Sequence, residues 1–129
     1  AATTTAQKLT TWDTNVISTA GRMDADQANN RVDVIYASGD AFDRIKIAAE
    51  ISLELASNVT ATFHAYYAGS AVGQPFSING LGTGKPTTIP IQAIHSATGF
   101  GAIEIWVSTT SSTTLTVLSG SLYAESLSD

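Results

Sequence analysis

Between Ile45 and Leu55 the chain alternates with a period of two, Ile45, Ile47, Ala49, Ile51, Leu53 and Leu55 on one side and Lys46, Ala48, Glu50, Ser52 and Glu54 on the other. That is the pattern of a strand with one buried and one wetter face. Alternation breaks at Ala56-Ser57-Asn58 and resumes with Val59, Ala61, Phe63, Ala65 and Tyr67. Two such runs around a short loop predict a β-hairpin. Its register would set Leu55 opposite Val59, Leu53 opposite Ala61 and Ile51 opposite Phe63. Glu50 and His64 would then be neighbours on the wet face.

The same reading extends along the chain. Arg31–Tyr36 predicts a strand through Val32, Val34 and Tyr36, and Ala37–Asp40 a turn. Gly69 to Lys85 is glycine-rich and predicts a loop holding a short strand at Phe76–Ile78. Thr87–Ile94 alternates again, and Pro90, which has no amide hydrogen to donate, confines that strand to a sheet edge or an unpaired position. In Ala102–Ser108, Ile103, Ile105 and Val107 share one side, Glu104 and Trp106 the other. Thr113–Leu118 and Ser121–Leu127 end the pattern, and the slip of parity at Ser119-Gly120 predicts a β-bulge. Residues 1–30 are weakly patterned, with Leu9, Trp12, Val16, Ile17 and Met23 as scattered anchors and a short helix conceivable at Met23–Asn29. About eight short strands with regular turn signals predict an all-β antiparallel sandwich. The expected organisation is an N-terminal arm over residues 1–30 and a β-domain over residues 31–129.

Composition narrows the function classes. The chain has 129 residues, room for one domain with a real core. Only 13% are charged, and the net charge of −5 includes just six basic side chains, scattered singly. Such a chain cannot build the cationic track that nucleic acid requires, so no nucleic-acid partner is expected. With no cysteine there is no disulfide and no thiolate chemistry. No apolar run approaches a membrane span, and no membrane partner is expected. A chain beginning naturally at Ala1 would be made in, and at first stay in, the cytoplasm of its host.

Candidate chemistry is thin. Gly80–Thr87 imitates a phosphate loop, but Asn79 and Pro86 stand where a Gly and a Ser or Thr are needed. Asp24, Asp26, Asn29 and Asn30 suggest calcium, yet Ala28, Asn29 and Ile35 occupy the fifth, sixth and twelfth places of an EF-hand loop. His64 and His95 lack partners at metal spacing. Serine is abundant without a G-x-S-x-G elbow, and Glu50 and Glu54 lie roughly 13 Å apart along one strand, too far for a glycosidase pair. No catalytic residue, metal or cofactor is expected. Tyr66 and Trp106 are different: both are aromatic on the outward side of their strands. Either they mark a partner surface or a loop or the arm covers them. Leu9, Trp12, Tyr66 and Trp106 are accordingly the candidate partner-binding residues.

The strand order carries a resemblance. The long alternating strand Phe42–Leu55 is followed by ATFHAYYAG, TTIPIQAI, GAIEIWVST and TTLTVLSGSLYAESL. From about Gly39 onward this resembles the jelly roll of the tumour-necrosis-factor/C1q-like type found in bacteriophage virion proteins. It departs at Gly99-Phe100-Gly101, where that class often has Gly-Asp. The resemblance implies a jelly-roll sandwich, a homo-oligomer (a trimer) and a place in the virion. The expected role is a capsid decoration or cement protein bound to the major capsid protein, favoured because the chain reads as complete. A receptor-binding knob of a tail fibre, with a host-surface glycan as ligand, is the alternative. A carbohydrate-binding module is a further one.

Overall fold

The fold is described from a computed structural model over residues 7–9, 16–18, 23–26, 31–34, 44–96, 101–112 and 115–127. Ten strands occur among them: β1 (Gln7–Lys8), β2 (Val16–Ser18), β3 (Met23–Asp26), β4 (Arg31–Val34), β5 (Arg44–Leu55), β6 (Thr60–Tyr67), β7 (Ser70–Asn79), β8 (Thr87–Ser96), β9 (Gly101–Thr109) and β10 (Leu115–Leu127). No helix is present among the described residues. The larger sheet has the order β3-β4-β9-β6-β7, with β1 also paired to β9, and the smaller has the order β2-β10-β5-β8. From β4 onward the chain steps from sheet to sheet, only β6 and β7 remaining together. This is the strand order of a jelly-roll sandwich, with β2 and β4 to β10 as its eight strands and β1 and β3 extending the larger sheet; β2 alone departs from the antiparallel pattern, pairing with β10 in parallel.

Alternation decides which side chains meet between the sheets. Ile45, Ile47, Ile51 and Leu53 of β5 pack against Ala61, Phe63, Ile103 and Ile105 of the facing sheet in one core, all of them buried. A fully buried phenylalanine such as Phe63 is worth about 3–5 kcal/mol by truncation to alanine.

The predicted hairpin at Ile45–Tyr67 does not form. β5 pairs with β8 and β10, whereas β6 pairs with β7 and β9. Residues 56–59 therefore make an arch between sheets, turned by Asn58 in the left-handed region at φ 67°. Ile51 and Phe63 are both buried, as the parity predicted, but in opposite sheets. Glu50 and His64 are separated likewise. A period of two places apolar groups inward in a hairpin and in an arch alike, so the pattern cannot distinguish them. The arch is held by a neighbouring loop: the Gly80 amide donates to the Val59 carbonyl (2.8 Å) and the Gly82 amide to the Leu55 carbonyl (2.9 Å). A Cβ at Gly80 would collide with the backbone at Leu55 and Ala56, so glycine is required there.

The hairpin of this region is instead β6–β7, a two-residue turn at Ala68 (φ 53°) and Gly69 (φ 83°) with Tyr67 opposite Ser70. Positive φ at both central residues is the primed turn that suits strand twist. The short strand expected at Phe76–Ile78 is thus part of a strand of ten residues. Its ladder is broken opposite His64, where Gly73, Gln74 and Pro75 bulge out between the Val72 and Phe76 pairs. β8 is an edge strand of the smaller sheet, as Pro90 required. β10 is one strand with its bulge between Val117 and Ser119, placing Leu118 as the extra residue, one position before the expected slip.

The N-terminal region departs most from expectation. Met23–Asp26 is a strand, not a helix, and pairs with β4 across residue 30. β1, β2 and β3 belong to the two sheets, so no break in the sandwich coincides with the boundary drawn at residue 30. Residues 35 and 36 of the expected strand at Arg31–Tyr36 lie outside the described residues.

Candidate functional site

The candidate surface is the outward face of the larger sheet, where β6 and β9 run side by side. Inward Phe63, Ala65, Ile105 and Val107 force their alternate neighbours His64, Tyr66, Glu104 and Trp106 outward. Register then sets His64 opposite Trp106 and Tyr66 opposite Glu104. Tyr66 and Trp106 meet diagonally and stack, ring centroids 4.7 Å apart at an interplanar angle of 12°. Diagonal neighbours on a sheet are within reach of aromatic side chains. His64 stands edge-on to Tyr66 at 6.2 Å, and its Nε2 is 3.0 Å from the Gly73 carbonyl in the β7 bulge.

Glu104 ties this group together. Its Oε1 accepts from Trp106 Nε1 at 3.0 Å, and its Oε2 meets Lys8 Nζ at 2.8 Å. Lys8 arrives on β1, opposite Trp106 on the side of β9 away from β6. The carboxylate is thus engaged at both oxygens, and the indole N–H, costly to leave unpaired when partly buried, has its acceptor within the chain. The platform offers ring faces and hydroxyls for contact. Thr62 and Ser77 (2.9 Å) and Thr60 and Asn79 (2.8 Å) continue it as bonded polar pairs.

Of the four candidate residues, Tyr66 and Trp106 are brought together and half-buried on this face. Leu9 is not available to a neighbour. Its side chain is buried in the core of its own chain, and its amide donates to the Ile105 carbonyl at 2.7 Å. An apolar residue next to a two-residue strand gains more by filling the sandwich than by waiting in water. Trp12 lies outside the described residues. Lys8 and Glu104 were missed. The parity of β9 placed Glu104 beside Trp106, but nothing local in sequence joins position 8 to position 104.

The other motifs resolve plainly. In the Gly80–Thr87 loop the amides of Gly80, Gly82 and Lys85 donate to carbonyls, and that of Gly84 to Glu54 Oε1 at 2.9 Å. Those four donors are occupied by the protein itself. His64 and His95 sit on different sheets, His95 against Tyr67 at 5.4 Å. Among the described residues no three His, Cys, Asp or Glu converge as metal ligands. Asp24 and Asp26 lie on β3, and Asn29 and Asn30 fall outside the described residues.

No family model, no curated protein and no solved structure matches this chain.

Proposed function

We propose that this protein is a structural component of a bacteriophage virion, a decoration protein that binds the outside of the capsid as a homo-oligomer. The observation that carries the reading is a rigid jelly-roll sheet presenting the stacked pair Tyr66 and Trp106 on its outward face. Aromatic groups fixed on a stiff surface are good anchors for a partner, because little side-chain freedom is lost on docking. The resemblance of the segments from Gly39 onward to virion jelly rolls supplies the class of partner, namely the capsid protein. In this reading Tyr66 and Trp106 take the anchoring role expected of Leu9, which is spent on the core.

Purified virions from the producing lysate, probed with antibody to this protein and counted by mass spectrometry, test the reading. Copy numbers comparable to those of the capsid protein are expected, with gold label spread over the shell. Absence from virions would overturn it, and a few copies confined to the tail tip would give the tail-fibre knob instead. The variant Trp106→Ala, folded but unable to rebind stripped particles, would tie attachment to the platform.

A further inference from the structure

The opposite outward face, that of the smaller sheet, is complementary to itself. Register across β10, β5 and β8 arranges it in rows: Glu125, Lys46, Ile94; then Tyr123, Ala48, Gln92; then Ser121, Glu50, Pro90. All nine residues are exposed or half-buried, and Ile94 is 61% exposed. Along β5 the outward positions run Arg44, Lys46, Ala48, Glu50, Ser52, Glu54. One end is cationic and the other anionic, with Ala48 between.

Two copies can stack such faces about a two-fold axis in two simple ways. An axis parallel to the strands keeps each row in place and sets Lys46 over Lys46 and Glu50 over Glu50, which is repulsive. An axis across the strands, over the Ala48 row, reverses the rows and keeps each strand above its counterpart. Lys46 then meets the second copy's Glu50, Ile94 meets Pro90, and Glu125 meets Ser121. Tyr123, Ala48 and Gln92 each meet themselves. Isologous contacts of this kind, in which residue i meets j and j meets i, are the commonest in soluble oligomers.

A second feature marks the same place. A depression of about 200 Å³ is lined by Glu50, Ser52, Ser119, Gly120 and Ser121. It sits beside the β10 bulge, in the rows that receive the other copy's Lys46. An ammonium group brings three donors, and a carboxylate with serine hydroxyls supplies the acceptors.

We propose that the protein forms a two-fold dimer through this face, the Lys46 side chain of each copy seated in the Glu50 depression of the other. The proposal stands apart from the virion reading and does not need it. Its symmetry also differs from the trimer usual in the resembling class, so the mass of the assembly separates the two.

The test is a charge exchange read by sedimentation equilibrium on the full chain at micromolar concentrations. The wild-type protein is expected to be a dimer. Lys46→Glu and Glu50→Lys should each weaken it by about tenfold or more, the scale of a close interfacial charge pair. The double variant should recover most of that loss, since the pair is restored with its signs exchanged. Melting curves should stay close to wild type, because both positions face solvent in the monomer. Should a reversal prevent folding, Ala48→Arg, on the axis, is expected to give a folded monomer. A wild-type monomer, a wild-type trimer, a double variant no better than the worse single one, or an Ala48→Arg variant that remains dimeric would each overturn the proposal.

Discussion

Trp106 and Glu104, two residues apart on β9, lean together on one face so that the indole N–H meets the carboxylate at 3.0 Å while the other oxygen holds Lys8. The Glu104 side chain is 14% exposed and that of Lys8 25%, so this ion pair is shielded more than most surface pairs. Removing the carboxylate takes the acceptor from the indole N–H and one ion-pair partner from Lys8. Glu104→Ala should destabilise the fold by about 1–3 kcal/mol, since hydrogen bonds to charged groups are among the stronger ones. Glu104→Gln should restore part of the loss by keeping an acceptor for the indole. Denaturant unfolding followed by tryptophan fluorescence measures both, and equal effects for the two variants would deny the indole bond its share.

Leu9 provides a test of the N-terminal region as part of the sandwich. Leu9→Ala should cost about 2–5 kcal/mol, the range for emptying a buried leucine site. Deleting residues 1–20 should lower the melting temperature clearly, as it removes β1, β2 and the Leu9 side chain together. An unchanged melting temperature would show that these residues are an arm after all.

Among the described glycines, Gly80 is the most tightly enclosed. A methyl group there would press on the carbonyls of Leu55 and Ala56, and the loop that pins the arch would have to lift. Gly80→Ala should cost about 3 kcal/mol, the upper part of the range for overpacking. Gly84→Ala adds a carbon that meets nothing within 4 Å but sits at φ 81°, so it carries only the left-handed backbone cost of about 1–2 kcal/mol without a collision. Equal melting temperatures for the two variants would refute the close approach.

Ala68 runs the other way. It holds φ 53° in the exposed turn between β6 and β7, a conformation that disfavours a Cβ by about 1–2 kcal/mol. Ala68→Asn or Ala68→Gly should therefore stabilise by about 0.5–1 kcal/mol, with Asn-Gly the preferred pair for this turn. Thermal melts would show the gain directly, and a loss would mean that the alanine methyl is needed for packing.

Much of the sandwich could be read from alternation alone. Burial follows parity through β5 and β6 without exception, and through β9 from Ala102 onward. Pro90 announced its edge and the slip near Ser119 its bulge, because each is a local backbone consequence of a local residue. Which strand lies beside which was not legible. β5 is flanked by β8 and β10, far away in the chain, and no short-range feature chooses them over β6. For the same reason Tyr66 and Trp106 could be seen to face outward but not to stack, and the bond from Lys8 to Glu104 could not be seen at all. Residues 1–30 looked unpatterned because strands of two to four residues are too short to establish a period.

β10 lies inside the smaller sheet, between β2 and β5, although it is the last of the described strands to leave the ribosome. Until it emerges, β5 has one flank unpaired and the core lacks Leu122 and Ala124. Folding must therefore wait for the C-terminal strand, and the nascent chain spends its synthesis with a long apolar strand exposed. A chain truncated after Thr109 lacks the strand that pairs with both β2 and β5. Refolding from denaturant should be slow for a domain of this size, in the millisecond-to-second range of non-local β topologies. Before β9 and β10 arrive, three pairings of the ladder can form: β3 with β4, β5 with β8 and β6 with β7.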